Sequence, residues 1–177
     1  MFRILSILFT FLLLNVSSVS SSNFNYGTGF AAKSVLASQS LINAMDKIDN
    51  RIYAVGEHGI ILYSDDFGDS WVQAESVPFT STLTDISCSS KQSCWVTGHD
   101  ATILHSNDYG KTWMKQYEDV DWDAPLLSIH MFDDKEGIAI GAFALSLRTE
   151  DGGQTWGYLF LDDDEFRSLI HSVVGES

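Results

Sequence analysis

The chain has 177 residues, a length that usually means one domain. Its 24 Asp and Glu outweigh 10 Lys and Arg, and the net charge of −14 repels phosphate backbones and anionic lipid surfaces, which argues against nucleic-acid binding. With 45% hydrophobic residues, 5 Trp, 6 Tyr and 11 Phe, there is apolar material for a packed core, which argues against global disorder.

Residues 1–22 read as a secretory signal peptide. Arg3 supplies a positive n-region. Ile4 to Val16 is apolar apart from Ser6, Thr10 and Asn15, and Ser17, Val19, Ser20, Ser21 and Ser22 offer small-residue cleavage sites. The apolar stretch is shorter than the roughly 20 residues of a membrane span. The expected product is therefore exported, periplasmic or secreted, with its leader removed. Residues 23–37 form an N-terminal extension. Ala31 to Met45 has a helix-compatible composition, but Ser and Asn dilute it, and Leu41 to Ile48 reads better as an opening strand.

From residue 38 to 160 the chain repeats. Three octets obey the rule [ST]-x-D-x-G-x-[ST]-W. They place Ser64, Asp66, Gly68, Ser70 and Trp71 in the first copy, Ser106, Asp108, Gly110, Thr112 and Trp113 in the second, and Thr149, Asp151, Gly153, Thr155 and Trp156 in the third. Trp71 to Trp113 spans 42 residues and Trp113 to Trp156 spans 43. A second landmark, ending in Gly56, Gly98 and Gly141, precedes each Trp by 15 residues. Within the second copy, Leu83–Ser87, Trp95–Gly98, Ala101–His105 and Trp113–Tyr117 are short β-rich runs bounded by turn residues. Four strands in roughly 40–45 residues is the period of a propeller blade. The expected fold is all-β: three four-stranded blades of an incomplete propeller, at about 38–77, 78–120 and 121–160. Residues 161–177 are an acidic tail or, from Glu165, the start of a fourth repeat. Propellers close with roughly 4–8 blades, so three copies point to a partial member, or to a homo-oligomer that closes the ring.

Each octet has the chemistry of a turn. The Asp can cap backbone N–H groups, the Gly can supply a positive φ, the hydroxyl can add a local bond, and the Trp can bury a large ring between strands or blades. These roles are structural. Cys88 and Cys94 lie six residues apart between two expected strands. In an exported protein such a pair favours a disulfide, with two free buried thiols as the alternative. As a zinc site the pair is two ligands short.

The octets are the Asp-box, or BNR, motif known from sialidases and other β-propellers. The longer run from Ala54 through Gly56, Tyr63 and Asp66 to Trp71 resembles the photosystem II stability/assembly factors and their bacterial envelope relatives, and the third copy, Ala124 to Trp156, looks like the same family. The resemblance covers about residues 38–160. It implies a propeller, export from the cytoplasm, and a non-enzymatic role in helping a membrane protein assemble. The chain departs from photosynthetic members in having only Arg51, Arg148 and Arg167 beyond the leader, where those members look as if they use an Arg-bearing surface on their client.

An enzyme or a glycan-binding module is the alternative class. Sialidases also carry Asp-boxes, but their chemistry resembles an Arg cluster that clamps a carboxylate, and three scattered Arg do not suggest one. Tyr63, Tyr109 or Trp122 could stack on sugars in a carbohydrate-binding module, and Asp162 to Glu165 reads as a solvated acidic run. Glu57 with His58 and His99 with Asp100 follow the landmark glycines of neighbouring repeats and are weak candidates for a divalent metal site. Nothing in the sequence names a catalytic residue or a cofactor. The leading expectation is a partner-binding module, and a fragment without a stable fold of its own is the remaining alternative.

Overall fold

The computed structural model describes residues 29–122 and 124–160. The expected leader and the 161–177 segment lie outside these residues, as does the start of the 23–37 extension.

Among the described residues, twelve strands form three antiparallel four-stranded sheets. The first blade holds β1 (Ile42–Ile48), β2 (Arg51–Gly56), β3 (Ile61–Ser64) and β4 (Val72–Gln73). The second holds β5 (Leu83–Cys88), β6 (Cys94–Gly98), β7 (Ile103–Ser106) and β8 (Met114–Tyr117), and the third β9 (Leu126–Met131), β10 (Gly137–Gly141), β11 (Ser146–Thr149) and β12 (Gly157–Tyr158). In each sheet the strands lie in chain order, and β1, β5 and β9 are neighbours from blade to blade at its inner side. The Ala31–Met45 stretch keeps only one turn of 3-10 helix, Ala37–Gln39, before β1 begins at Ile42.

Blade stacking builds the core. Tyr53, Val55 and Ile61 of the first blade pack with Leu83, Ile86, Val96, Leu104 and Trp113 of the second. Trp95, Ala101 and Ile103 of the second meet Leu126, Ile129, Ala139, Leu145 and Leu147 of the third. Central strands are thus apolar on both faces, as β6 shows, being buried at every position. On its other face the first blade packs Ala54, Ile60 and Leu62 against Ala37 of the N-terminal segment. That segment also follows β4: Ala31 N–H donates to the Val77 carbonyl, and Lys33 Nζ to the carbonyls of Gln73 and Ala74.

The innermost strands are also wired to one another with the period of the repeat. Each slips by one residue at the same place, leaving Asn43, Thr84 and Leu127 out of register. The bulged Asn43 Nδ2 donates to the Leu83 carbonyl at 2.7 Å, and the bulged Thr84 Oγ1 to the Leu126 carbonyl at 2.6 Å. Three residues on, Asp46 Oδ2 accepts the Cys88 N–H at 2.7 Å and Ser87 Oγ accepts the Met131 N–H at 3.0 Å.

Trp113 is 3% exposed and sits in the cluster shared by the first two blades. Trp113→Ala is expected to cost about 3–5 kcal/mol, as for other large-to-small aromatic truncations in a core. The midpoint of urea unfolding measures it. A loss under 1 kcal/mol would show that the blades do not depend on this ring.

Candidate functional site

The three octets form three superimposable turns on the outer side of the blades, between β3 and β4, β7 and β8, and β11 and β12. In the first, Ser64 Oγ donates to Asp66 Oδ1 at 2.7 Å and accepts the Gly68 N–H at 2.8 Å. Asp66 Oδ1 accepts the Ser70 N–H at 2.9 Å, and Asp66 Oδ2 accepts the Ser70 hydroxyl at 2.5 Å. The second copy repeats the set with Ser106, Asp108, Gly110 and Thr112, the third with Thr149, Asp151, Gly153 and Thr155. Every oxygen of the Asp carboxylate is spent inside its own turn. The Trp leaves differently in each copy: Trp113 is buried and its Nε1–H donates to the Gly110 carbonyl at 3.1 Å, Trp71 is half-buried, and the buried Nε1 of Trp156 lacks a partner among the described residues.

The octet predicts left-handed backbone at its fixed glycine. Two consecutive residues adopt it: Phe67 with Gly68, Tyr109 with Gly110, Gly152 with Gly153. A freely varying position hides that requirement, because Phe and Tyr pay a modest backbone cost there and leave no signal. Gly110 is also constrained by packing, since a Cβ on it would lie 2.5 Å from Tyr53 of the first blade.

Cys88 and Cys94 face each other across the β5–β6 register and form a disulfide, with sulfurs 2.07 Å apart. It closes a hairpin loop, Ser89–Ser93, that touches all three blades. The Tyr53 hydroxyl donates to the Lys91 carbonyl at 2.5 Å and Lys91 Nζ lies 3.5 Å from Asp49, both on the first blade. The Tyr109 N–H reaches the Gln92 carbonyl at 3.3 Å in the second, and Ser89 bonds Asp134 in the third.

The candidate metal ligands are not brought together. Among the described residues no three of His, Cys, Asp and Glu are placed to hold one ion. Glu57 and His58 belong to the β2–β3 turn, where Glu57 Oε1 accepts the Leu41 N–H at 3.1 Å. His99 and Asp100 belong to the matching β6–β7 turn, and the His99 N–H donates to the Thr82 carbonyl at 3.0 Å. These are tight hairpins with two left-handed residues each: His58 and Gly59, Asp100 and Ala101, and in the third blade Phe143 and Ala144. Both turns border the segment that enters the second blade, the Gly59 N–H donating to the Ser81 carbonyl at 2.7 Å, but among the described residues their side chains do not complete an ion site.

The arginines are committed as well. Arg51 donates from Nε and Nη2 to Asp65 at 2.8 and 2.6 Å and from Nη1 to the Tyr109 carbonyl at 2.6 Å, with its guanidinium 4.6 Å from the Tyr63 ring centroid. It joins the first blade to the second, a role the sequence does not announce. Arg148 pairs with Glu150 at 3.0 Å and Glu136 at 3.8 Å; Arg167 lies outside the described residues. Of the sugar-stacking candidates, Tyr63 is half-buried beneath Arg51, whereas Tyr109 and Trp122 are exposed.

Two measurements follow from these turns. The hydroxyl and N–H of Ser70, then Ser64, hold the Asp66 carboxyl down at about 2; the hydroxyl and N–H of Thr155 lower Asp151, and at Asp108 burial works upwards but the bonds from Thr112 and Ser106 outweigh it and lower the carboxyl. A depressed folded-state pKa stabilises the fold fully above the unfolded value near 4 and loses that contribution as pH falls towards the folded value. The melting temperature is therefore expected to drop between about pH 4 and pH 2, and the drop to shrink in Asp66→Asn, whose amide does not titrate; an equal drop would refute the assignment. The disulfide predicts no reactive thiol in the denatured, unreduced protein, and reduction is expected to remove about 2 kcal/mol, the chain-entropy value for so short a loop. Two titratable thiols would contradict the pairing.

With this geometry established, comparisons with known proteins place the chain. The model of the photosynthesis system II assembly factor YCF48 family matches residues 73–165, just over half of the 177 residues. A solved structure of YCF48 bound to a D1 peptide aligns with TM-score 0.60 at 22% identity, covering 70% of this chain and 41% of that one. YCF48 from Cyanidioschyzon merolae aligns with TM-score 0.59 at 23% identity, covering 70% and 38%. A GH74 xyloglucanase from Xanthomonas campestris aligns with TM-score 0.51 at 13% identity, covering 67% and 23%. At these identities the structural likeness speaks for the propeller fold, and the chain spans about two fifths of the YCF48 structures it matches. No curated protein matches the chain significantly. The family match and the three Asp-box blades agree: the chain belongs to the photosynthesis system II assembly factor YCF48 family.

Proposed function

We propose that this chain is a non-catalytic, exported propeller module that binds another protein during the assembly of a membrane complex. Its family supplies the assembly role, and one relative was solved with a D1 peptide bound. The observation that carries the reading is that the chemistry-bearing side chains of the repeats are consumed by the scaffold. The Asp-box carboxylates bond within their own turns, and Arg51 and Arg148 bond to carboxylates of their own blades. What is left for function is surface, in a chain whose net charge is −14, so the client segment is expected to carry positive charge.

The finer parts of the proposal are location and assembly. The leader-like residues 1–22 support export to the periplasm or beyond. A homo-oligomer that closes the ring is supported by the third blade's outward face: Ile140 is 47% exposed, whereas Val55 and Thr97 at the equivalent positions are fully buried.

Affinity capture from solubilised envelope or thylakoid membranes tests the main claim. A specific, salt-sensitive membrane-protein client is expected; recovery of none would overturn it. A sialidase-like hydrolase, the rival reading, predicts turnover of a fluorogenic sialoside, and we expect none. Light scattering tests closure: a mass twice that of the chain supports a two-copy ring, and a folded monomer refutes it.

A further inference from the structure

Tyr158 on β12 and Phe160 just beyond it share an exposed row with Trp122, which belongs to the segment joining the second and third blades. Trp122 is 38%, Tyr158 51% and Phe160 86% exposed. The Trp122 and Tyr158 ring centroids are 6.2 Å apart and those of Tyr158 and Phe160 6.3 Å, with tilted planes. The row has a root in the core: Tyr117, packed on the cluster between the second and third blades, interacts electrostatically with Tyr158. Burial pushes the Tyr117 phenol up to about 12, with Tyr158 and Asp119 acting in the same direction.

Asp119 holds the row together. Its Oδ1 accepts the Trp122 N–H at 3.2 Å and its Oδ2 lies 3.4 Å from the Tyr158 hydroxyl. Among the described residues no Lys or Arg pairs with it, whereas the neighbouring Glu118 is already paired with Lys115. Three large rings in one exposed row exceed the scattered apolar residues of an ordinary surface and mark a contact site. Aromatic faces carry negative potential and attract ammonium and guanidinium groups, and a carboxylate beside them adds directional bonds. Sugar faces also stack on such rows, but the surroundings favour a cation. The chain carries a net charge of −14, and the carboxylate of Asp119 lies within the row itself.

We propose that Trp122, Tyr158 and Phe160, together with Asp119, form a docking surface for a Lys- or Arg-bearing segment of a protein partner. This inference rests on the reading of the chain as an interaction module and assigns it a surface.

The test is isothermal titration of the full chain with a blocked peptide, acetyl-(Gly-Lys-Gly-Arg)3-amide, and with its counterpart carrying acetyl-lysine and citrulline. The cationic peptide is expected to bind and the neutral one to bind at least tenfold more weakly. Phe160→Ala and Trp122→Ala should each weaken the cationic peptide at least fivefold, and Asp119→Asn at least threefold. Glu150→Gln, whose carboxylate is already paired with Arg148, should not change it. Phe160 is so exposed that its truncation leaves folding intact, so that variant decides the matter if Trp122→Ala unfolds. Equal affinity for wild type and Phe160→Ala would overturn the proposal, showing only diffuse attraction to an acidic protein. Binding of cellohexaose in place of the peptide would overturn it in favour of a glycan surface. Envelope clients still captured by Trp122→Ala would leave the interaction module standing while removing this surface from it.

Discussion

A four-stranded blade with two apolar faces cannot be stable alone, and the rest of this structure depends on that constraint. Strand β6 is buried along its whole length because blades pack on both of its sides. Burial of this kind is worth about 25 cal/mol per Å² of apolar surface, so the main driving force lies between blades rather than within them. Repeat proteins share this logic, with each unit contributing a neighbour interface. The first blade shows what happens at an end: Ala37 and the segment around it lie over Ala54, Ile60 and Leu62, where a preceding blade would otherwise pack.

Non-directional burial alone would let blades slide, and the polar contacts oppose that. Asn43 and Thr84 at the bulges, and Asp46 and Ser87 three residues further on, lock each innermost strand to the next one. At the outer side the Arg51 guanidinium reaches the Tyr109 carbonyl, and the Ser76–Thr112 bridge ties the first blade's exit to the second blade's Asp-box. The disulfide-closed loop adds a third tie, touching the first and third blades from the second. In the third blade the matching inner positions are Leu127 and His130, which cannot reproduce the Asn43 and Asp46 pattern. The wiring scheme therefore changes at the face where Leu127 and Ile140 stand exposed.

The same economy bears on function. A turn whose carboxylate accepts its own N–H and hydroxyl groups has a depressed pKa for a structural reason, the local bonds favouring the charged form. In the proposed reading the surface is the functional part. Its most distinctive feature, an aromatic row beside Asp119, lies in the linker and the last outer strand, where the repeat is least regular. Binding residues commonly sit on such irregular segments held by a rigid scaffold.

Much of the fold was legible in the sequence because its determinants are local and recur. The Asp-box needs specific side chains at specific spacings to close its own turn, so Asp66, Asp108 and Asp151 announce three hairpins, and the landmark glycines and β-rich runs announce the strands between them. The pairing of Cys88 with Cys94 was open to reading for the same reason, the two residues being opposite each other in one hairpin. What tertiary structure alone decided is which repeated positions meet. The landmark turns carrying Glu57, His58, His99 and Asp100 share a motif, yet among the described residues they do not assemble the three ligands of an ion site. The inter-blade bonds of Asn43 and Asp46, the Arg51–Tyr109 bond and the Trp122–Tyr158 contact join residues about 36 to 58 apart in the chain. Such contacts follow from the stagger and twist of packed sheets, which no local pattern of residues encodes.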